Sequence, residues 1–145
     1  MAVAFDLVLE VADVIEHLPP LHFLVVEYVG APHIAEPYAQ LLPASDGYYC
    51  EVVSENYVPA ETWPINREWL TAAGWRAPEP GDDAGNWWQV VSGSRMAAVT
   101  LLSALHLGRS CPNPIAYAWY VGESPPPPDG GEPIAAEGSD YLVAA

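Results

Sequence analysis

The sequence predicts an α+β domain, an antiparallel β-sheet of three to five strands with helices packed on one face. Three observations carry that reading. A segment of helical period opens the chain, strand-like segments are grouped between residues 21 and 55, and two further helical patterns follow them. With 145 residues, 51% of them hydrophobic, the chain has the size and apolar content of a single domain with one core.

Over residues 3–18, polar groups recur at Asp6, Glu10, Asp13 and Glu16/His17 with apolar residues between them, an amphipathic helix with a wide buried face. Pro19 and Pro20 end it. The run LHFLVVEYV (21–29) is β-branched and aromatic throughout, as in a strand covered on both sides. YAQLL (38–42) and YYCEVVSE (48–55) flank Pro43-Ala44-Ser45-Asp46-Gly47, which predicts a β-hairpin with a five-residue loop. In its second arm, Tyr48, Cys50, Val52 and Ser54 form the better core face, opposite Tyr49, Glu51, Val53 and Glu55. INREWLTAAGW holds a short helix stopped at Gly74, and RAPEPGDDAGN (76–86) has the composition of an exposed loop. WWQVV (87–91) reads as a short strand or aromatic anchor. Ser94 is placed to cap a helix over 95–107 that stops at Gly108. NPIAYAWYV (113–121) is a last strand or extended segment, and SPPPPDGGEPIAAEGSD (124–140) has no apolar periodicity.

The charge is lopsided. Nineteen carboxylates face four arginines (Arg67, Arg76, Arg95, Arg109) and no lysine, a formal net charge of −15. Nucleic-acid backbones demand clustered cations, and anionic membrane surfaces repel such a chain, so neither is an expected partner. No apolar run reaches membrane-spanning length, and the opening MAVAFDLVLE lacks a basic n-region, so a cytoplasmic protein is expected.

Candidate chemistry is sparse. Cys50 and Cys111 lie far apart, without the close spacing of a metal or redox motif, and read as small buried hydrophobes. The four histidines (His17, His22, His33, His106) give no HExxH and no close pair. A Cys50/His22 couple, both on predicted strands, is the nucleophile–base pairing to consider. No glycine pattern of a phosphate-binding loop occurs, and the loop GDDAGN (81–86) lacks the glutamate a calcium site needs. Neither cofactor, metal nor catalytic residue is therefore expected. The six tryptophans are more informative, because indoles are seldom fully buried and are enriched among interface anchors. Trp69, Trp75 and Trp87 suit packing of the short helix on the sheet. Trp63, Trp87, Trp88, Trp119 and Tyr49 are the candidates for contact with a partner.

The central block ENYVPAETWPINREWLTAAGWRAPEPGDDAGNWWQVV resembles the actinobacterial TY-Chap family, type III secretion chaperone-like domains related to YbjN. The features that carry the resemblance are the strand end Glu51-Val52-Val53-Ser54, the Leu70 to Gly74-Trp75 helix end, the proline-containing acidic loop Pro78 to Asp83, and Asn86-Trp87-Trp88 before a long helix. It is strongest over 45–108. It departs from the family at Ala73, where a second leucine is common, and in lacking lysine. The resemblance implies a secretion-chaperone-like domain, placed at residues 1–122, and composition places an acidic Pro/Gly-rich tail over 123–145. The resemblance also implies a homodimer that holds an extended segment of another protein, with no catalytic residues.

Three functions compete on these grounds. The first is a non-catalytic protein-binding module, chaperone- or adaptor-like. The second is an acidic inhibitor or antitoxin-like protein occupying a basic site on its partner, with binding that collapses in salt. The third, a small-molecule enzyme using a cysteine or histidine, has the least support.

Overall fold

The computed structural model describes residues 5–30, 36–81, 85–113 and 116–123. Five strands, β1 (His22–Tyr28), β2 (Tyr38–Ala44), β3 (Gly47–Val52), β4 (Trp87–Val91) and β5 (Tyr117–Glu123), form one antiparallel sheet in the order β4-β3-β2-β1-β5. Helices α1 (Phe5–Glu16) and α3 (Ser94–Ser103) pack on each other, and α3 lies on β2 and β3. The arrangement is the α+β class the sequence predicts, at the upper end of the expected strand number.

The core lies between helices and sheet. Val8, Val11, Ala12 and Ile15 of α1 face it, which is the stripe left by the polar positions of the opening segment. From α3 come Ala97, Ala98, Leu101 and Leu102, the two alanines letting the backbone approach closely and the two leucines filling the core. Leu24, Val26, Tyr28, Ala39, Leu41, Cys50 and Val52 complete it from the sheet, alternate residues of β1, β2 and β3 as the pleat requires. Each fully buried leucine contributes roughly 1.5–3 kcal/mol of apolar transfer.

β1 is also covered on its second face, as its unbroken apolar run implies. Phe23, Val25 and Leu42 form a smaller cluster there, with Tyr38 and Tyr49 against it. Phe23 stands opposite Gly122 in the register, and a Cβ on that glycine would come within 2.3 Å of the phenyl ring. The missing side chain on β5 is the space the ring occupies.

Several boundaries differ from the sequence reading. The β2–β3 connection is a two-residue turn, Ser45-Asp46, because Pro43 and Ala44 remain in register with Tyr48 and Gly47. Pro43 is tolerated there for a geometric reason. Tyr28 N–H donates to Pro37 C=O and Val53 N–H donates to Tyr38 C=O, so odd-numbered β2 residues turn their backbone groups to β1 and even-numbered ones to β3. Pro43 therefore needs no donor toward β3, and the β1 ladder has already ended at Leu24↔Leu41. β3 stops at Val52, where Val53 N–H pairs with Tyr38 and the chain turns.

Helix α2 (Arg67–Ala72) is shorter than its pattern suggested, with Asn66 Oδ1 accepting from Trp69 N–H at 3.0 Å as its cap. The cap of α3 is Gly93, with φ of 88°, and Ser94 is the first helical residue and makes no capping bond. α3 continues as one π-helical turn, Ala104–Gly108, closed by Arg109 N–H to Ala104 C=O at 2.8 Å. Arg76 is not simple loop; it exchanges both backbone bonds with Trp88 on the outer side of β4. The acidic tail from residue 124 and residues 82–84 of the GDDAGN motif lie outside the described residues, and β5 runs one residue past the boundary placed at 122.

Candidate functional site

The sheet has two edges, and they are unequal. On β4, Arg76 N–H donates to Trp88 C=O at 2.8 Å and Trp88 N–H to Arg76 C=O at 3.0 Å, so part of that edge is occupied. On β5, no further strand follows among the described residues. Which backbone groups β5 presents can be worked out from its pairing. Val29 N–H donates to Ala116 C=O at 2.9 Å, and the register places the two residues opposite each other. Hydrogen-bonded pairs alternate in an antiparallel ladder, so Ala118, Tyr120 and Gly122 bond to β1, and the backbone groups of Trp119 and Val121 point outward.

The side chains of this edge are apolar and accessible. Trp119, Tyr120 and Val121 are 37%, 37% and 39% exposed. Trp119 and Val121 sit on the helix side, opposite the core residues Val26 and Leu24, while Tyr120 sits on the other, opposite Val25. The Trp119 indole N–H donates to Glu10 Oε2 of α1 at 2.7 Å, which fixes the ring across the end of the helix layer. A long apolar edge strand is ordinarily an aggregation hazard that proteins blunt with charge or cover, and it is also the structure that accepts an added strand.

The five residues expected to contact a partner do not form one patch. Trp63 is buried at 9% exposure, edge-on to Tyr28 with centroids 5.5 Å apart. Trp87 is buried at 4%, its indole N–H donating to Glu55 Oε1 at 3.3 Å. Trp88 and Tyr49, both half-buried, stack at 5.8 Å on the sheet face away from the helices, with the Arg76 guanidinium 5.1 Å over the Trp88 ring. Trp119 stands at the opposite edge. Trp75 and Trp87 are core and Trp69 is half-buried against it, the packing role the spacing suggested. Tyr120 and Val121 were missed because a run of apolar residues, YAWYV, does not reveal that its strand ends the sheet.

Between these two regions the outer sheet face carries a buried polar group. Glu51, opposite Gln40 in register, is 6% exposed, and Gln40 is fully buried. Gln40 Nε2 donates to Glu51 Oε1, Tyr49 OH donates to Glu51 Oε2 at 2.9 Å, and Asn86 Oδ1 accepts from Ser54 N–H at 2.9 Å beside them. Satisfied in this way, the carboxylate is a structural acceptor on a surface where the alternation alone predicts a solvated one.

Among the described residues, the catalytic groupings considered from sequence do not assemble. His22 Nδ1 donates to Pro20 C=O (2.9 Å) and the ring lies 3.4 Å from Glu123, while β2 separates its strand from that of Cys50. Both cysteines are buried and free, and burial pushes each thiol up to about 12, far from a nucleophile's range. A cleft of about 340 Å³ is lined by Glu55, Asn56, Arg67, Pro78, Glu79 and Trp87, and its charged pair is spent on itself, Arg67 to Glu55 at 2.6 Å. Asp13 and Glu16 of α1 and His17 just past it cluster, all three exposed. Among the described residues no helix is long and apolar enough to cross a membrane.

The sheet with helices on one face and an accessible strand at its end defines a small α+β domain. Residues 6–115 match the family model TY-Chap3, described as T3SS (YopN, CesT) and YbjN peptide-binding chaperone 3, and the chain belongs to that family. The match is longer than the motif-bearing segment 45–108 and takes in α1, β1 and β2, ending just before β5. No curated protein and no solved structure matches the chain.

Proposed function

We propose that this protein is a non-catalytic binding module, a chaperone or adaptor, that holds an extended segment of a partner polypeptide by taking it up as a sixth strand on β5. The observation that carries the reading is the outer edge of β5. There the outward backbone groups of Trp119 and Val121 lie beside accessible Trp119, Tyr120 and Val121 side chains. Backbone bonding of this kind gives affinity with little sequence demand, which suits a family described as peptide-binding. Of the residues named from sequence, Trp119 is the anchor in this proposal. Trp88 and Tyr49 offer a second, smaller contact, and burial leaves Trp63 and Trp87 little surface to give. Two free, buried cysteines fit a reducing, cytoplasmic setting. A two-fold homodimer that leaves β5 accessible belongs to the same proposal.

The test uses proline. Val121 N–H points away from β1, so Val121→Pro removes no ladder bond of the sheet and forbids a bond to an added strand. Short extended peptides selected for binding to the wild-type chain should lose about tenfold or more in affinity to the Val121→Pro variant, with unchanged circular dichroism. Full retention of affinity by a folded variant overturns the proposal.

A further inference from the structure

We infer that β5 takes a cationic partner, an extended segment in which apolar residues alternate with lysine or arginine. This rests on the reading of β5 as the acceptor strand and adds the chemistry of what it accepts. The apolar half of the recognition is the triplet Trp119, Tyr120 and Val121, two side chains toward the helices and one toward the other face. The charged half comes from the carboxylates around them. Glu10 holds the Trp119 indole on the helix side at 2.7 Å. Glu27 stands opposite Ala118 on the other face, near enough that its charge adds to burial in raising the Tyr120 phenol. Glu123 ends the strand. A lysine or arginine of an added strand meets a carboxylate on whichever side it projects.

The chain's four arginines stand elsewhere, whereas His22 lies 3.4 Å from Glu123, so Glu10 and Glu27 are the carboxylates on which the inference rests. Arg67 is bound to Glu55, Arg76 lies over Trp88 at the far edge of the sheet, Arg95 lines the cleft at the start of α3, and Arg109 is buried. Charge also decides among possible occupants. A second copy brings the same Glu10 and Glu27 to the shared edge, on a body of net charge −15. Residues 124–145 of the chain carry Asp129, Glu132, Glu137 and Asp140 and no lysine or arginine. Both are mismatched to an acidic rim, whereas a cationic strand is complementary to it and is steered toward it.

The experiment titrates the full-length chain into three fluorescently labelled octapeptides of alternating Lys-Val, Ser-Val and Glu-Val, read by anisotropy at about 0.1 M salt, where charges within about 10 Å still interact. Affinity should fall in that order, by about tenfold from Lys-Val to Glu-Val. The double variant Glu10→Gln, Glu27→Gln keeps an acceptor for the Trp119 indole and should bring Lys-Val down to the level of Ser-Val. A Lys-Val octapeptide N-methylated at every residue keeps its charge, lacks backbone donors and should not bind, a control that leaves the protein untouched.

If Ser-Val or Glu-Val binds as tightly as Lys-Val, and Val121→Pro abolishes that binding, the cationic preference is overturned while strand addition stands. If Lys-Val binding survives both Val121→Pro and N-methylation, both readings fall, since attraction to the acidic surface alone explains it. Pairing of the free chain that Val121→Pro disrupts makes a second copy the occupant. Concentration-independent protection of the Trp119 and Val121 amides in the free chain makes residues 124–145 the occupant. Either result overturns the inference.

Discussion

Replacing Arg109 by methionine removes the clamp on the segment between β3 and α2. The guanidinium is fully buried and donates from Nη1 to Val53 C=O at 2.7 Å, and from Nη2 to Val58 C=O at 2.6 Å and Trp63 C=O at 2.9 Å. Among the described residues no carboxylate touches it, so burial lowers its pKa and the charge is compensated by carbonyl dipoles. A hydrogen bond from a charged donor is worth about 1.5–3 kcal/mol, and a stranded buried acceptor costs about 1–3 kcal/mol. Against this stands relief from burying an unpaired cation. The net loss is about 3–5 kcal/mol, a large part of the stability of about 5–15 kcal/mol that a small domain has. With a urea slope of about 2 kcal/mol per molar, the midpoint falls by about 2 M. Arg109→Lys, a point charge without the planar fork, recovers only part of it. A methionine variant within about 1 kcal/mol of wild type in urea titration refutes the clamp.

Other perturbations have equally definite outcomes. Gly47 has φ of 142°, and a Cβ there would lie 2.3 Å from Val91 C=O, so Gly47→Ala should lower stability by about 2 kcal/mol or more, read as a drop in the thermal midpoint. Cys50 and Cys111, buried with thiols raised to about 12, should be silent to a thiol reagent at neutral pH and react together on unfolding. For Glu55, burial works to raise the carboxyl above its ordinary 4.5, but its own backbone N–H, the Arg67 pair and the Trp87 indole outweigh that and hold it lower. A depressed carboxyl stabilises fully above 4.5, and its contribution fades as pH falls through the lower folded value. Glu55→Gln should therefore reduce stability at neutral pH and flatten its decline in acid, in urea titrations across pH. Sedimentation at high micromolar concentration should give a dimer in both the wild type and Val121→Pro; a 15.6 kDa species alone contradicts the expected pairing.

The sequence made the element order and the core legible because both follow from period. Val8, Val11 and Ile15 recur at helical spacing, and Cys50 and Val52 alternate in a strand. Backbone direction is not written in that period. Pro43 and Ala44 read as a loop from composition, yet they continue β2 because Pro43 turns its nitrogen away from β3. Glu51 alternates to the outer face and is nonetheless buried, since Gln40 and Tyr49, from a strand pairing and a same-face neighbour, satisfy it. The candidate site was legible in kind and not in place. Trp counts pointed to aromatic anchors, and Trp119 was among them. That its strand stands beside β1, with no further strand after it among the described residues, depends on a pairing with residues nearly a hundred positions away. Arg109 likewise reads as one of four scattered cations until the fold brings three carbonyls around it.

The central claim is that β5 is an acceptor strand, and hydrogen exchange at its amides tests it most directly. In the free chain the inward amides of Ala118 and Tyr120, paired with β1, should exchange slowly, and the outward amides of Trp119 and Val121 quickly. Saturation with a bound peptide should slow exchange at Trp119 and Val121 selectively, because a sixth strand takes up their N–H groups. Unchanged fast exchange at both positions in the saturated complex contradicts the account.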